Sequence, residues 1–211
     1  MALLDQSSFP RLWRAFQFYL GGNGDKCRLA LRHYTGQAEV LEVGCSLGNI
    51  ASAFVRCAGV RYTGVDIDPV AVAHGRRVFR ARANFEFICA DLTRTNLDGR
   101  RFGFVLVAGV CHHIDDLNCE GLLDAAAHRL SPGGTMVVTD PLLPRREDPW
   151  LVRQFYRLDR GGFFREGPAF LRLVRSRPGL RLVRHTEDLI GAMPGGWPRV
   201  ARFGTYVLRP A

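Results

Sequence analysis

The sequence predicts an α/β fold built around a mostly parallel sheet, and three observations support this prediction. Short apolar runs typical of buried strands alternate with segments of helical periodicity along most of the chain. A glycine-rich turn follows the first run, as it does where α/β sheets bind ligands. Acidic residues stand near the ends of three successive runs. Together these features favour one domain with a ligand site at one edge of its sheet.

The composition is that of a globular cytoplasmic protein. A chain of 211 residues can bury a full core, and a composition of 47% apolar and 23% charged residues lies far from the disordered class. No apolar run approaches the roughly 20 residues that a membrane-spanning helix needs. The N-terminus lacks the layout of a signal peptide. The six cysteines form no CxxC pair, so we expect them to be reduced and mostly buried.

The formal net charge of +9 raises the question of a nucleic-acid partner. Lys26 is the only lysine, and the arginines are spread along the chain, which is typical of a GC-rich coding sequence. Methylases of adenine or cytosine amino groups carry an Asn/Asp-Pro-Pro-aromatic motif, where this chain has Ala108-Gly109-Val110-Cys111. A nucleic-acid partner is therefore not expected.

The periodicity places five parallel strands before a final pair of alternating strands. The predicted strands are Val40–Val43, Tyr62–Val65, Phe85–Cys89, Phe102–Ala108, Thr135–Thr139, Leu180–His185 and Phe203–Leu208. The main predicted helices are Asn49–Ala58, Pro69–Arg80, Asn118–Leu130 and Pro168–Ser176. A further short helix is expected to begin at Pro149 with Asp148 as its N-cap. The segment Asp188–Arg199, rich in Gly and Pro, is expected to be a loop.

The turn after the first strand, within VLEVGCSLGNI, indicates what kind of ligand binds there. A pyrophosphate-binding turn needs G-x-G-x-x-G, but here Ser46 and Asn49 follow Gly44 at the second and third glycine positions. Glu42, just before the turn, would repel a pyrophosphate and attract a ligand that carries a sulfonium and an ammonium. The turn therefore favours S-adenosylmethionine (SAM) over NAD or FAD.

Two more acids follow the next two strands. Asp66 lies 22 residues after Gly44, close to the spacing at which a carboxylate binds a ribose diol. Asp91 can accept a hydrogen bond from an adenine amino group, with Ala90 and Leu92 beside the ring. One such acid alone is as well explained as a helix cap or turn residue. Three of them behind a glycine turn predict a nucleoside site.

Five stretches in this order resemble the class I SAM-dependent methyltransferases of the small-molecule type: VLEVGCSLGN, YTGVDIDP, CADL, FVLVAGVCHHIDD and LSPGGTMVVTD. The resemblance covers about residues 38–140. It implies a seven-stranded, mostly parallel sheet with helices on both faces, an antiparallel last strand and a small helical cap after the fifth strand. It also implies SAM as the cofactor, with S-adenosylhomocysteine as product. The residues implied to hold the cofactor are Glu42, Gly44, Cys45, Ser46, Gly48, Asp66, Ile67, Asp91, Leu92 and Ala108. Two positions depart from the family pattern, since Ser46 replaces the usual middle glycine and Gly103 stands where many members have an acid.

We expect four segments in one domain. Residues 1–37 form an N-terminal helical segment that covers the cleft, and 38–140 form the SAM-binding core. Residues 141–167 form a substrate cap, and 168–211 supply the final helix and hairpin.

The residues after the fourth strand are candidates for catalysis. His112 and His113 lie where the methyl group is expected, and an ordinary imidazole pKa of about 6.5 suits a general base. The alternative is that the pair only packs the loop. Asp115 and Asp116 follow them directly, but this contiguous run lacks metal-ligand spacing, so no metal is expected.

The acceptor is expected to meet the cap. Arg153, Arg157 and Arg160 recur on one helix face near Tyr156 and would suit a carboxylate or phosphate, although a solvated helix face explains them equally well. Tyr19 is expected to reach the acceptor from the N-terminal segment, and Met193 and Trp197 are candidate lid residues.

The sequence favours in-line methyl transfer to an oxygen, nitrogen or carbon of a small molecule. Two alternatives remain open. One is a SAM-fold protein that does not transfer methyl groups, acting as a binding or partner subunit or performing other SAM-dependent chemistry. The other is an RNA or protein methyltransferase. The residues do not name the acceptor.

Overall fold

The computed structural model describes residues 23–159, 161–193 and 196–211, and these contain one seven-stranded sheet in the order β3-β2-β1-β4-β5-β7-β6. The strands are β1 (Glu39–Val43), β2 (Arg61–Asp66), β3 (Phe85–Cys89), β4 (Phe102–Ala108), β5 (Leu130–Pro141), β6 (Leu180–Gly191) and β7 (Arg199–Pro210). Strands β1 to β5 pair in parallel, and β7 runs antiparallel to both of its neighbours. The predicted fold class is confirmed.

Helices cover both faces of this sheet. They are α1 (Asn23–Leu31), α2 (Ala51–Phe54), α3 (Pro69–Val78), α4 (Asp116–His128), α5 (Trp150–Phe155) and α6 (Gly167–Arg175). Successive residues of β4 show the two faces, since side chains alternate along a strand. Phe104 packs with α2 and α3 on one face, whereas Val105 packs with α4 and α6 on the other.

The ligand-binding edge follows from this arrangement. Strands β1 and β4 are neighbours, but the helices that follow them, α2 and α4, lie on opposite faces of the sheet. The connections therefore diverge at the carboxyl ends of these two strands, the position in the topology at which sheets of this kind bind ligands.

The C-terminal hairpin is longer than the sequence suggests. The segment Asp188–Arg199 was expected to be a loop, but β6 continues to Gly191 and β7 begins at Arg199. Pairing explains the difference, because Asp188 to Ile190 lie in register with residues of β7 and their backbone groups are satisfied there. Helix α2, in contrast, is shorter than the predicted Asn49–Ala58.

The expected N-cap role of Asp148 is wrong. Helix α5 begins at Trp150 with Pro149 in the cap position and has no side-chain cap. The Asp148 carboxylate is buried and accepts hydrogen bonds from Arg202 Nε at 2.8 Å and from the Arg145 N–H at 2.7 Å. A charged partner from β7 stabilises a buried carboxylate better than a helix terminus does.

The cysteines and the membrane prediction can be compared directly with the structure. None of the six cysteines is in a disulfide, and Cys45, Cys111 and Cys119 are buried, whereas Cys89 is exposed. Across the described residues, no helix has the length and apolarity that crossing a membrane requires.

The turn after β1 depends on a glycine. Gly44 has a φ of +72°, and a Cβ built on it would lie 2.2 Å from Val110 Cγ2. Gly59 has nearly the same φ, +70°, but nothing lies within 4 Å of its Cβ position. Replacing each glycine with alanine therefore separates two destabilising effects. Gly59 reports the backbone strain alone, whereas Gly44 reports the same strain together with the clash against Val110.

We expect Gly59→Ala to lower the free energy of unfolding by about 1–2 kcal/mol, the cost of a left-handed alanine. Gly44→Ala should lose a further ~1–3 kcal/mol, because Val110 must move. Urea unfolding of both variants measures the difference. Equal losses would show that the turn accommodates a methyl group.

Candidate active site

The glycine turn is held by Asp66, at the end of β2. The Gly44 and Cys45 N–H groups donate to the Val65 carbonyl at 2.8 and 3.1 Å. The Ser46 N–H donates to Asp66 Oδ2 at 2.7 Å, and Asp68 N–H donates to Asp66 Oδ1 at 2.9 Å. Ser46 has a φ of +46°, a conformation that favours glycine, which explains why this replacement needs the support of Asp66. Each Asp66 oxygen can still accept a second hydrogen bond.

Glu42 is buried beneath this turn, with 2% of its surface exposed. The Tyr62 hydroxyl donates to its Oε2 at 2.5 Å. Burial raises the pKa of Glu42 to about 8; the nearby Asp66 charge adds to this rise and the Tyr62 hydrogen bond opposes it. The sequence predicted a carboxylate at this position, whereas burial favours the protonated form of Glu42 in the protein without a ligand.

The predicted adenine end of the site lies at the carboxyl ends of β2 and β3. Asp91 accepts two bonds on the same oxygen, Oδ1, from the Thr93 N–H at 2.9 Å and from Thr93 Oγ1 at 2.7 Å. Leu92 is buried, whereas Ile67 exposes 73% of its surface at the rim. An exposed isoleucine beside a cleft offers an apolar surface for a flat ring.

All ten residues predicted to hold the cofactor therefore lie in or just after the carboxyl ends of β1 to β4. They are Glu42, Gly44, Cys45, Ser46, Gly48, Asp66, Ile67, Asp91, Leu92 and Ala108. The register of the parallel strands makes these ends adjacent. Their contact with a cofactor stays a prediction.

The loop after β4 is organised by Asp140, a residue to which the sequence analysis gave no role. Asp140 ends the TMVVTD stretch in β5, with 1% of its surface exposed. Its carboxylate accepts from the Val110, Cys111 and His112 N–H groups at 2.9, 2.8 and 3.0 Å. The same carboxylate lies 2.8 Å from His112 Nδ1. An acid after a buried strand was the available signal in the sequence.

His112 is enclosed by two carboxylates. It is buried, and its second ring nitrogen, Nε2, lies 3.3 Å from Asp159 Oδ1. Burial alone would lower the pKa of His112, but Asp140 and Asp159 outweigh burial and raise it to about 9. Burial would likewise raise the pKa of Asp159, but contact with His112 holds that pKa below its ordinary value.

His113 has a different environment. It is partly exposed, and its ring centroid lies 3.9 Å from that of His112. Partial burial and the neighbouring His112 charge lower the pKa of His113. Lys26 of α1 lies near the same group: burial lowers its pKa, and the charges of Asp159 and Asp140 oppose that effect. Neither Lys26 nor Asp159 was predicted from the sequence to lie at this site.

The two acids that follow the histidines in the sequence, Asp115 and Asp116, make their contacts away from the histidine rings. Asp115 caps α4 by accepting from the Asn118 N–H at 2.9 Å, and Asp116 pairs with Arg165 Nε at 2.6 Å. Asp159 is instead the acid that meets the pair. Among the described residues, His112, His113 and Asp159 each offer a ligand atom, and these three atoms lie within 4.8 Å of one another.

Residues 141–167, the expected substrate cap, contact residues 109–115, the loop between β4 and α4 that carries both histidines and is called the histidine loop below. Arg165 donates to the Cys111 carbonyl at 2.7 Å and to the Ile114 carbonyl at 2.9 Å. The Phe163 N–H donates to the His112 carbonyl at 3.0 Å. The cap is therefore held to the loop that carries both histidines by one side-chain donor and one main-chain donor, which bind main-chain carbonyls of that loop.

Of the residues predicted to bind the acceptor, Tyr156 is half-buried, and the ring of Phe164 lies between it and His112. Its ring meets Phe164 edge-on with centroids 5.8 Å apart, and Phe164 lies 5.1 Å from His112. Arg153 and Arg157 are exposed. Arg160 and Tyr19 lie outside the described residues. Met193 and Trp197 are exposed, after the end of β6 and before the start of β7. Binding of an anionic acceptor by the arginines therefore stays a prediction, as does a lid formed by Met193 and Trp197.

Comparison with known proteins gives a family match within the segment that was predicted to bind the cofactor. Residues 40–134 match a family model described as "Methyltransferase domain". A demethylmenaquinone methyltransferase from Chlorobaculum tepidum is 27% identical over 110 residues, which are 52% of this chain and 43% of the relative. A carboxy-S-adenosyl-L-methionine synthase from Chromohalobacter salexigens is 25% identical over 140 residues, 63% of this chain and 51% of the relative. The chain thus spans about half the length of these curated relatives.

Solved structures extend the likeness over almost the whole chain. A TehB-like SAM-dependent methyltransferase from Corynebacterium glutamicum aligns with a TM-score of 0.67 and 19% identity, covering 96% of each chain. At this identity the likeness establishes the fold.

Proposed function

Because residues 40–134 match a methyltransferase domain, within a chain that has the class I SAM-dependent methyltransferase fold, we propose that this protein transfers the methyl group of SAM to a small molecule. The observation that carries the proposal is Asp66, which holds the Ser46 turn and keeps acceptor capacity on both oxygens. It lies at the same edge of the sheet as the histidine loop.

The residues at this edge fit SAM. Asp66 would hold the ribose, Asp91 the adenine amino group, and Ile67 the face of the ring. Glu42 lies next to the turn, where a cationic ligand would favour its ionised form. When bound, SAM supplies a methyl group on a sulfonium, an activated leaving group.

The two histidines have different surroundings. His112 is buried, and in the free protein both of its ring nitrogens face carboxylates. His113 is exposed beside it. We therefore place the acceptor on the His113 side of the loop and assign the positioning of the loop to Asp140.

A small-molecule acceptor is favoured by the surroundings of the histidines. The rings of Tyr156, Phe164 and His112 form a row between the cap and the loop, an aromatic lining typical of small-ligand sites. The name of the Chlorobaculum relative also gives a small molecule, demethylmenaquinone, as what that protein acts on. The proposal covers methyl transfer to an oxygen, a nitrogen or a carbon of the small molecule.

The second candidate function is SAM-dependent chemistry without methyl transfer, favoured by the similarity to carboxy-S-adenosyl-L-methionine synthase. A ¹⁴C label on the methyl carbon of SAM distinguishes the two functions. Methyl transfer moves the label to an acceptor with formation of S-adenosylhomocysteine, whereas modification of SAM keeps it on the nucleoside.

Binding of the cofactor is tested by isothermal titration. We expect SAM and S-adenosylhomocysteine to bind with micromolar affinity, and Asp66→Ala to weaken SAM by about 1.5–3 kcal/mol, the cost of losing hydrogen bonds to a charged group. The loss of the Ser46 bond adds to this effect.

Asp68→Ala is the matched control. Asp68 caps α3 by accepting from the Val70 and Ala71 N–H groups, so its loss should cost stability of about 1 kcal/mol and leave SAM affinity unchanged. No heat from the wild type with millimolar ligand would reject the proposed function. Equal affinities of wild type and Asp66→Ala would place the ribose elsewhere.

A further inference from the structure

We propose that His112, His113 and Asp159 bind one divalent transition-metal cation at the mouth of the site. The cation would offer open positions to an oxygen of the acceptor. The second part rests on the proposed function, whereas the metal site itself does not.

The spacing of the three side chains suits a metal. Their ligand atoms lie within 4.8 Å of one another, and His112 Nε2 is 3.3 Å from Asp159 Oδ1. Two ligands that are each about 2.0–2.2 Å from a shared cation lie about this far apart when they occupy adjacent positions. Closure of the site therefore requires only a small movement of the exposed His113 side chain.

His112 is oriented as metal-binding histidines are. Its Nδ1 faces the buried Asp140 carboxylate at 2.8 Å, which directs Nε2 towards Asp159. Metal-ligating histidines almost always donate their other ring N–H to a carboxylate, a carbonyl or water in this way. Three main-chain N–H groups hold Asp140 in turn. The orientation is thus built into the fold and is independent of the spacing argument.

Two carboxylates, Asp140 and Asp159, lie on either side of the His112 ring. Without a metal, Asp159 pairs with His112. A cation seated between these two side chains would replace that contact with two coordination bonds.

The ligand set points to a class of metal and of acceptor. Two imidazoles with one carboxylate suit Zn²⁺, Co²⁺, Ni²⁺ or Fe²⁺ better than Mg²⁺ or Ca²⁺, which prefer oxygen ligands. Three protein ligands leave positions open, as in catalytic rather than structural sites. Because His113 and Asp159 face solvent, these positions are accessible to an acceptor that carries a hydroxyl or enolic oxygen.

Co²⁺ is the probe for the test, since its visible absorption reports the ligand environment directly. The full chain, freed of metal by a chelator and dialysed, is titrated with Co²⁺ alone. We expect one equivalent to bind with micromolar affinity. His113→Ala and Asp159→Asn, each the loss of one ligand, should weaken binding at least about tenfold.

His128→Ala is the control for nonspecific imidazole binding. His128 lies exposed on α4, where Nδ1 contacts the Asp124 carbonyl of its own helix, and its loss should leave Co²⁺ affinity unchanged. No absorption change up to millimolar Co²⁺, or equal affinities of wild type, His113→Ala and Asp159→Asn, would overturn the metal site. SAM titration of the same samples reports folding and tests the proposed function separately.

Discussion

Replacing Asp140 with alanine should lower the free energy of unfolding by about 3–5 kcal/mol, the largest loss expected from any residue near the site. The carboxylate satisfies three main-chain N–H groups and one ring nitrogen, all at 2.8 to 3.0 Å. Alanine leaves these donors without an acceptor in a region that is almost completely buried. Urea unfolding measures the loss.

Two further variants make the Asp140 result interpretable. Asp140→Asn keeps one carbonyl oxygen and should lose less stability, which provides a measurable protein if alanine does not fold. Asp159→Ala removes the other carboxylate that contacts His112. Because Asp159 is exposed, this replacement should lower the free energy of unfolding by only about 1 kcal/mol. A midpoint for Asp140→Ala equal to that of Asp159→Ala would contradict the central role of Asp140.

Glu42→Gln should change how stability depends on pH. The pKa of Glu42 is about 8 in the folded protein and 4.5 for an ordinary glutamate. Between these values the unfolded chain has released the proton and the folded protein retains it. Stability from this group is therefore fully present below about pH 4.5, falls as pH rises to about 8, and is level above.

Glutamine cannot lose a proton, so the variant should lack this decline and gain a few kcal/mol relative to wild type between pH 5 and pH 8. Glu39→Gln is the control, because Glu39 lies on the same strand but forms an outward ion pair with Arg61. Urea unfolding of all three proteins at both pH values provides the comparison. Parallel pH profiles for wild type and Glu42→Gln would show that Glu42 is ionised in the free protein.

Those parts of the fold that depend on burial were predictable from the sequence. The bounds of β3 and β4 match the predicted strands residue for residue. Strand β4 lies inside the parallel sheet and is a continuous apolar run, whereas β3 lies at the sheet edge and is a short run around the buried Phe87. Gly44 and Asp66 were identified for a related reason. The turn and the strand end that they occupy are set by local geometry, and local geometry leaves a pattern in the sequence.

Residues placed by tertiary contacts were not predictable in this way. Asp159 reaches the histidines because the cap folds back onto their loop, a contact between segments separated by more than forty residues. Asp148 satisfies the local rule for an N-cap, but Arg202 from a distant strand takes its carboxylate. The protonation of Glu42 depends on how deeply the finished fold buries it, which no neighbouring residue indicates.

The anchoring of the cap by Arg165 divides the protein into positions that can and cannot be varied when acceptor preference is redesigned. Arg165 and Phe163 bind main-chain groups of the histidine loop, so we expect a substitution at Arg165 to displace the histidine side chains together with the cap. Among the described hydrogen bonds, none links the main chain of Trp150 to Tyr156 with that loop. Libraries that reshape acceptor preference should therefore randomise α5 and leave the Phe163–Arg165 anchor intact.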